Sequence, residues 1–142
     1  RELEPLVREL KRRGYRVEVE TNGTIAPGAL AALVDQFNVS PKLLHAGNEG
    51  LDVLPEGSLQ EFAALERANF KFVVQEPQDL EEVEALQQRF GIAPERVVLM
   101  PEGRAAAELN ARSGWLAEEC MRRGYRFSSR LHILIWGDKR GV

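Results

Sequence analysis

Tyr15-Arg16-Val17-Glu18-Val19-Glu20 alternates apolar and polar residues and runs straight into Thr21-Asn22-Gly23-Thr24. A period of two is the mark of a strand with one covered face. The Asn22-Gly23 pair would close a hairpin if a second strand followed at once. Instead Pro27 sits well at a helix start, and Gly28 to Val34 reads as a short helix. A strand that passes into a helix is the repeating unit of a parallel sheet with helices packed on it.

The same alternation extends in both directions. Upstream, Leu3, Leu6, Val7 and Leu10 recur at helical spacing, and Gly14 supplies a stop. Downstream, Gln36 to Ser40 reads as a second strand ended by Pro41, and Lys42 to Ser58 as a polar loop. Helix is expected over Leu59 to Ala68, strand over Asn69 to Gln75, and helix from Pro77 to about Phe90, stopped by Gly91. Strand follows over Arg96 to Met100, a long helix over Ala105 to Arg123 closed by Gly124, and strand over Tyr125 to Ser128. Arg130 to Trp136 is an apolar stretch, and Gly137 to Val142 a polar tail. The fold class is therefore α/β, a parallel sheet with alternating helices, in one domain over residues 1–142.

Composition agrees with that class. Of 142 residues, 44% are hydrophobic and 29% charged, and the net charge is −3. That balance points to no general nucleic-acid binder and no membrane-surface binder. No apolar run approaches the roughly 20 residues of a membrane span. Cys120 is the one cysteine, so a reducing, cytoplasmic location is the default expectation. The chain opens at Arg1 inside a helical pattern, which suggests sequence upstream.

Parallel α/β sheets bind ligands at the C-terminal ends of their strands. Those ends are Thr21 to Thr24, Ser40-Pro41-Lys42, Gln75-Glu76-Pro77 and Met100 to Gly103. Thr21 to Thr24 offers hydroxyls, an amide and a Gly that lets backbone approach a ligand, or else an ordinary capped turn. Ser40 and Lys42 bring a hydroxyl and an ammonium that could meet a carboxylate, or else a strand end with a solvated Lys. Lys71 shares one strand face with Val73, opposite Phe70, Phe72 and Val74; it needs either a partner or a stem that packs while its head reaches water. His132, alone in an apolar segment, reads as a satisfied core histidine before a ligand or base, and His45 as a solvated loop residue. Cys120 has no second cysteine at metal spacing. No phosphate loop, nucleophile elbow, His-Glu-x-x-His or dinucleotide fingerprint is present.

Taken together, Glu20-Thr21-Asn22-Gly23-Thr24, Val39-Ser40-Pro41-Lys42, Lys71-Phe72-Val73-Val74 and Met100-Pro101-Glu102-Gly103 resemble the 7-carboxy-7-deazaguanine synthases of the radical S-adenosylmethionine (SAM) superfamily. The ending Arg130 to Gly137, with Arg140-Gly141-Val142, is the most specific part of that likeness. The resemblance implies a C-terminal portion of an incomplete TIM-like (partial β/α) barrel. It implies a lyase of queuosine biosynthesis, a tRNA-modification pathway, that converts 6-carboxy-5,6,7,8-tetrahydropterin to 7-carboxy-7-deazaguanine with loss of ammonia. Its cofactors would be SAM, a 4Fe-4S cluster and Mg²⁺. Its partners would be the pterin substrate, a reductase or flavodoxin-type electron donor, and a second copy in a homodimer, with no direct nucleic acid and no membrane.

By matching position, the resemblance implies SAM at Gly23, Ser40, Pro41 and Lys42, and substrate at Thr21, His132 and Val142. The family's three-cysteine motif, its Mg²⁺-contacting Thr and its Gly-Gly-Glu segment all match sequence upstream of Arg1. This chain alone is therefore expected to be inactive, and to be marginal or self-associating through an unpaired strand edge. Two other readings are a different radical SAM enzyme, such as a glycyl-radical activase, and a non-catalytic α/β nucleoside-binding module.

Overall fold

A computed structural model describes residues 3–43, 56–139 and 141. Most of the loop expected over Lys42 to Ser58, with His45, Arg140 and Val142, lies outside the described residues. The elements are α1 (Leu3–Arg12), β1 (Glu18–Thr21), a 3-10 turn (Gly28–Ala32), β2 (Gln36–Val39), α2 (Glu56–Ala63), β3 (Ala68–Val74) and α3 (Pro77–Arg89). After a 3-10 turn (Pro94–Arg96) come β4 (Val97–Pro101), α4 (Ala106–Arg123), β5 (Arg126–Phe127) and α5 (Leu131–Trp136). The strands form one sheet in the order β1-β2-β3-β4-β5, the parallel α/β arrangement that strand–helix alternation predicts. No described helix is long and apolar enough to cross a membrane. The chain divides into two compact units, 1–41 with 48–70 and 42–47 with 71–142.

In the first unit, Phe37 and Val39 of β2 and Ala68 and Phe70 of β3 are buried, and register places Phe37 beside Ala68 and Val39 beside Phe70. Phe62 of α2 meets Phe37 edge to face at 5.3 Å between ring centroids. Such a pair adds about 0.5–1.5 kcal/mol beyond the burial of the two rings. Asp35 ties the entry of the two parallel strands. Its Oδ2 accepts the Val17 N–H at 2.7 Å, and its own N–H donates to the Val17 carbonyl at 2.9 Å. Lys11 of α1 donates to both Asp35 oxygens at 2.7 Å, so one carboxylate joins helix and sheet.

The turn after β1 is anchored as tightly. Gly23 has φ +80, and a Cβ there would lie 2.8 Å from Leu59 Cδ2 and 2.9 Å from Val39 Cγ1. Ser58, buried at the start of α2, donates its hydroxyl to the Gly23 carbonyl at 2.7 Å.

In the second unit, Leu109, Leu116 and Cys120 form the buried stripe of α4, and Leu80, Val83 and Leu86 that of α3. Gly124 ends α4 in the left-handed conformation at φ 71, as its position after a helical run predicts. Ser128 N–H donates to the Leu99 carbonyl at 2.9 Å, extending the short β4–β5 ladder.

Several boundaries move for local reasons. Tyr15 is exposed and donates its N–H to the Leu10 carbonyl, closing α1, so strand pairing starts at Glu18 and not at Tyr15. α2 starts at Glu56 and ends at Ala63, earlier at both ends than the Leu59–Ala68 pattern, because Ala68 pairs with Phe37 in the sheet. The segment from Gly28 is a 3-10 turn. The apolar stretch near the C-terminus is a six-residue helix, α5, that buries only Ile133. His132 is exposed there and is not a core histidine; of α5 only Ile133 is turned inward, and its neighbour in sequence points about 100° away.

Two measurements test these anchors. The Lys11 contacts, then the Val17 N–H, hold the Asp35 carboxyl below its ordinary range. A depressed carboxylate contributes stability above the unfolded pKa of about 3.9, and that contribution is lost as pH falls through the lower folded value. Asp35→Asn should therefore lower Tm at pH 6 to 7, and the gap to wild type should close as pH falls below about 4. Gly23→Ala adds a methyl where φ is positive and two side chains are in the way, and should cost roughly 2–4 kcal/mol in urea unfolding.

Candidate functional site

The C-terminal ends of β1 and β2 form the first unit's rim. Ser40 N–H donates to the Thr21 carbonyl at 2.7 Å, so the ladder continues one residue past β2 before buried Pro41 ends it. Thr21 Oγ1 accepts the Gly23 N–H at 3.1 Å. Asn22 Oδ1 accepts both the Thr24 N–H at 3.1 Å and the Thr24 hydroxyl at 2.7 Å. The turn is thus held by its own side chains, and Asn22 and Thr24 are exposed. Thr21, Gly23 and Ser40, singled out in sequence, come together here.

Gly23 meets a need of the fold itself: its lack of a side chain accommodates Leu59 and Val39, and its carbonyl accepts from the Ser58 hydroxyl.

The sheet adds residues that the strand-end rule passes over. Register aligns Glu20 with Asn38 and Asn38 with Asn69, a polar row across β1, β2 and β3. Along each strand these residues alternate with half-buried Val19 and with buried Phe37, Val39, Ala68 and Phe70. Parallel strands are usually apolar on both faces. Here one face carries a carboxylate and two amides in line. Asn38 is only 8% exposed, and its Oδ1 accepts from Gln36 Nε2 at 2.9 Å. Buried amides of this kind are retained where they are hydrogen-bonded or meet a ligand. Lys71 continues the same face of β3 and is half-buried. The visible sequence signal is the apolar–polar alternation in Glu18–Thr21 and over Ala68 to Phe72, where a doubly covered strand would be a continuous apolar run.

The second unit has its own rim, after β3 and β4. Asp79, at 6% exposure, accepts the N–H groups of Gln75 and Glu76 at 2.7 and 3.1 Å. Glu108 does the same for Arg104 and Ala105, at 2.7 and 3.1 Å, and these backbone donors hold its carboxyl below the ordinary range. Glu102 N–H donates to the Val74 carbonyl at 2.8 Å, and Arg130 donates to the Gly103 carbonyl at 2.9 Å. Lys42 and His132 belong to this unit, and both are exposed. Among the described residues no group of three His, Cys, Asp or Glu side chains could hold a metal ion. Cys120 is buried, burial pushes its thiol up to about 11, and its Sγ donates to the Arg126 carbonyl at 3.6 Å. A neutral, covered thiol is a poor metal ligand.

No family model matches the chain. Curated proteins do. The chain is 39% identical over 142 residues to a 7-carboxy-7-deazaguanine synthase of Pyrobaculum aerophilum, a match that takes in 99% of this chain and 61% of that protein. It is 37% identical to one of Halobacterium salinarum, over 88% of this chain and 56% of that protein. It is 30% identical to one of Rhodopirellula baltica, over 96% of this chain and 57% of that protein. The chain thus spans 56–61% of the length of these curated relatives. Over nearly its whole length, then, the chain is a homologue of the 7-carboxy-7-deazaguanine synthases.

Proposed function

We propose that the protein to which this chain belongs makes 7-carboxy-7-deazaguanine from 6-carboxy-5,6,7,8-tetrahydropterin, with loss of ammonia, as a radical SAM lyase of queuosine biosynthesis. The observation that carries this reading is the likeness of 30–39% over 88–99% of the chain to proteins of that name. A polar rim and a polar sheet face, in a fold whose strand ends hold ligands, support it.

The described residues do not fit a 4Fe-4S cluster, since the chain's single cysteine is buried and protonated. The cluster's ligands are assigned to the part of the relatives' length that this chain does not span. The bound cluster and SAM would supply the radical that takes hydrogen from substrate, and Mg²⁺ would assist.

This chain's share is binding and orientation. SAM carries ribose hydroxyls, an ammonium and a carboxylate. Glu20 can accept from an ammonium or a hydroxyl, and the amides of Asn38 and Asn69 can both donate and accept. Ser40 lies at the end of the same strand as Asn38 and two residues on, in step with it. In this reading Thr21 and His132 serve the pterin, Val142 borders it, and a partial β/α barrel, a homodimer, a flavodoxin-type electron donor and a cytoplasmic location complete the parent enzyme.

Anaerobic reconstitution of the parent-length protein with iron, sulfide, SAM, Mg²⁺ and a reductant should yield 7-carboxy-7-deazaguanine by mass spectrometry. The 142-residue chain treated alike should yield none. A reconstituted parent that cleaves SAM but leaves the pterin intact would overturn the substrate assignment. Asn38→Leu, close in volume, removes the central amide of the polar row. Its folding stability should stay within about 1.5 kcal/mol of wild type. Its affinity for SAM should fall roughly tenfold, the loss expected for one buried hydrogen bond.

A further inference from the structure

We propose that Arg16, Gln36 and Asn38 form a hydrogen-bond relay that fixes the Asn38 side chain as a donor toward the ligand, so that the polar face of the first unit takes a neutral acceptor on a heterocycle. All three residues belong to that unit. Arg16 precedes β1, and Gln36 and Asn38 stand two apart on β2, on one face of the strand. Arg16 Nη2 donates to Gln36 Oε1 at 2.8 Å, and Gln36 Nε2 donates to Asn38 Oδ1 at 2.9 Å.

The direction of the relay follows from its first member. A guanidinium has donors and no acceptor, so Gln36 must turn its oxygen to Arg16. That leaves Gln36 its amide nitrogen for Asn38, and Asn38 answers with its oxygen. The Glu18 carboxylate pairs with Arg16 and holds the cation beside the strand. Asn38 is more than nine-tenths buried, yet its Nδ2 group has no partner among the described residues. Nor is that donor sealed in. Among the described residues, Arg123 Nε is the one covered side-chain nitrogen or oxygen without a hydrogen bond. The small open part of Asn38 therefore includes its donor end. A buried amide whose oxygen is engaged internally and whose donor end opens outward points to an acceptor brought by a ligand.

Charge narrows the ligand. Register sets Glu20 beside Asn38, and a carboxylate there disfavours an anionic acceptor. A ring nitrogen or a ring carbonyl is neutral, and the adenine of SAM and the pterin ring both carry such acceptors. The choice of those two molecules rests on the functional reading above, whereas the polarity of the relay does not.

The test uses the reconstituted parent-length protein as wild type, Gln36→Leu and Gln36→Glu. Gln36→Glu keeps an oxygen for Arg16 but offers no donor, so Asn38 must turn Nδ2 inward and its oxygen toward the ligand. Gln36→Leu removes the relay and imposes no direction, although it loses more hydrogen bonds. Calorimetry reads the binding of SAM, of its deaza analogues (each with one adenine ring nitrogen replaced by C–H), and of 6-carboxytetrahydropterin with SAM present. Affinity should fall from wild type through Gln36→Leu to Gln36→Glu, by roughly tenfold from first to last. One deaza analogue should bind wild type several-fold more weakly than SAM, and Gln36→Glu should close that gap. If all analogues match SAM and the pterin alone follows the order, the acceptor is the pterin's.

A weaker Gln36→Leu than Gln36→Glu would report lost contacts and not polarity, and would overturn the proposal. Unchanged affinity for both molecules would overturn it too. Side-chain amide exchange, read by NMR, gives a check that needs no ligand. In wild type the Gln36 amide should exchange slowly and the Asn38 amide fast, and Gln36→Glu should slow the Asn38 amide. Slow exchange of the Asn38 amide in wild type would break the relay. If wild type binds neither SAM nor the pterin, the functional reading fails, and the exchange comparison alone decides on the relay.

Discussion

The first unit depends on a place where only a hydrogen atom fits. At Gly23 the chain leaves β1 with positive φ, and α2 and β2 approach to within 3 Å of where a Cβ would stand. That approach lets the Ser58 hydroxyl reach the Gly23 carbonyl and lets Leu59 bury itself beside the turn. Asp35 has the matching role at the other end of the strands, where it joins the starts of β1 and β2 and receives Lys11. Between these ends, β1 pairs with β2 at each of its four residues, Glu18–Thr21.

With the strands so held, their two faces take opposite characters. One is an apolar surface in which Phe37, Phe62 and Phe70 pack. The other gives up some of the burial that a parallel sheet usually gains, and presents Glu20, Asn38 and Asn69 in line. In the function proposed above, this is the face that meets ligand.

Much of this was legible in residue order because the signals are local. Gly14 and Gly124 stop helices, Pro27 and Pro77 start them, and alternation marks the strands. The strand ends were legible too, since a parallel sheet dictates where they gather. The polar row was not, because Glu20, Asn38 and Asn69 become neighbours only through register, and register is set by packing across the sheet. The exposed character of α5 was equally invisible. Composition gives its residues as apolar, and only the fold decides that Leu131, Ile135 and Trp136 face water.

The one cysteine offers a way to watch this molecule open. Cys120 is covered on α4, and its thiol is held protonated by its surroundings. An alkylating reagent reacts with thiolate and needs access, so it reaches Cys120 only when the end of α4 parts from β5. In the native state the labelling rate, compared with that of an exposed thiol, is then a local free-energy gauge for that opening. The chain carries its own chemical stopwatch at the seam of its last strand.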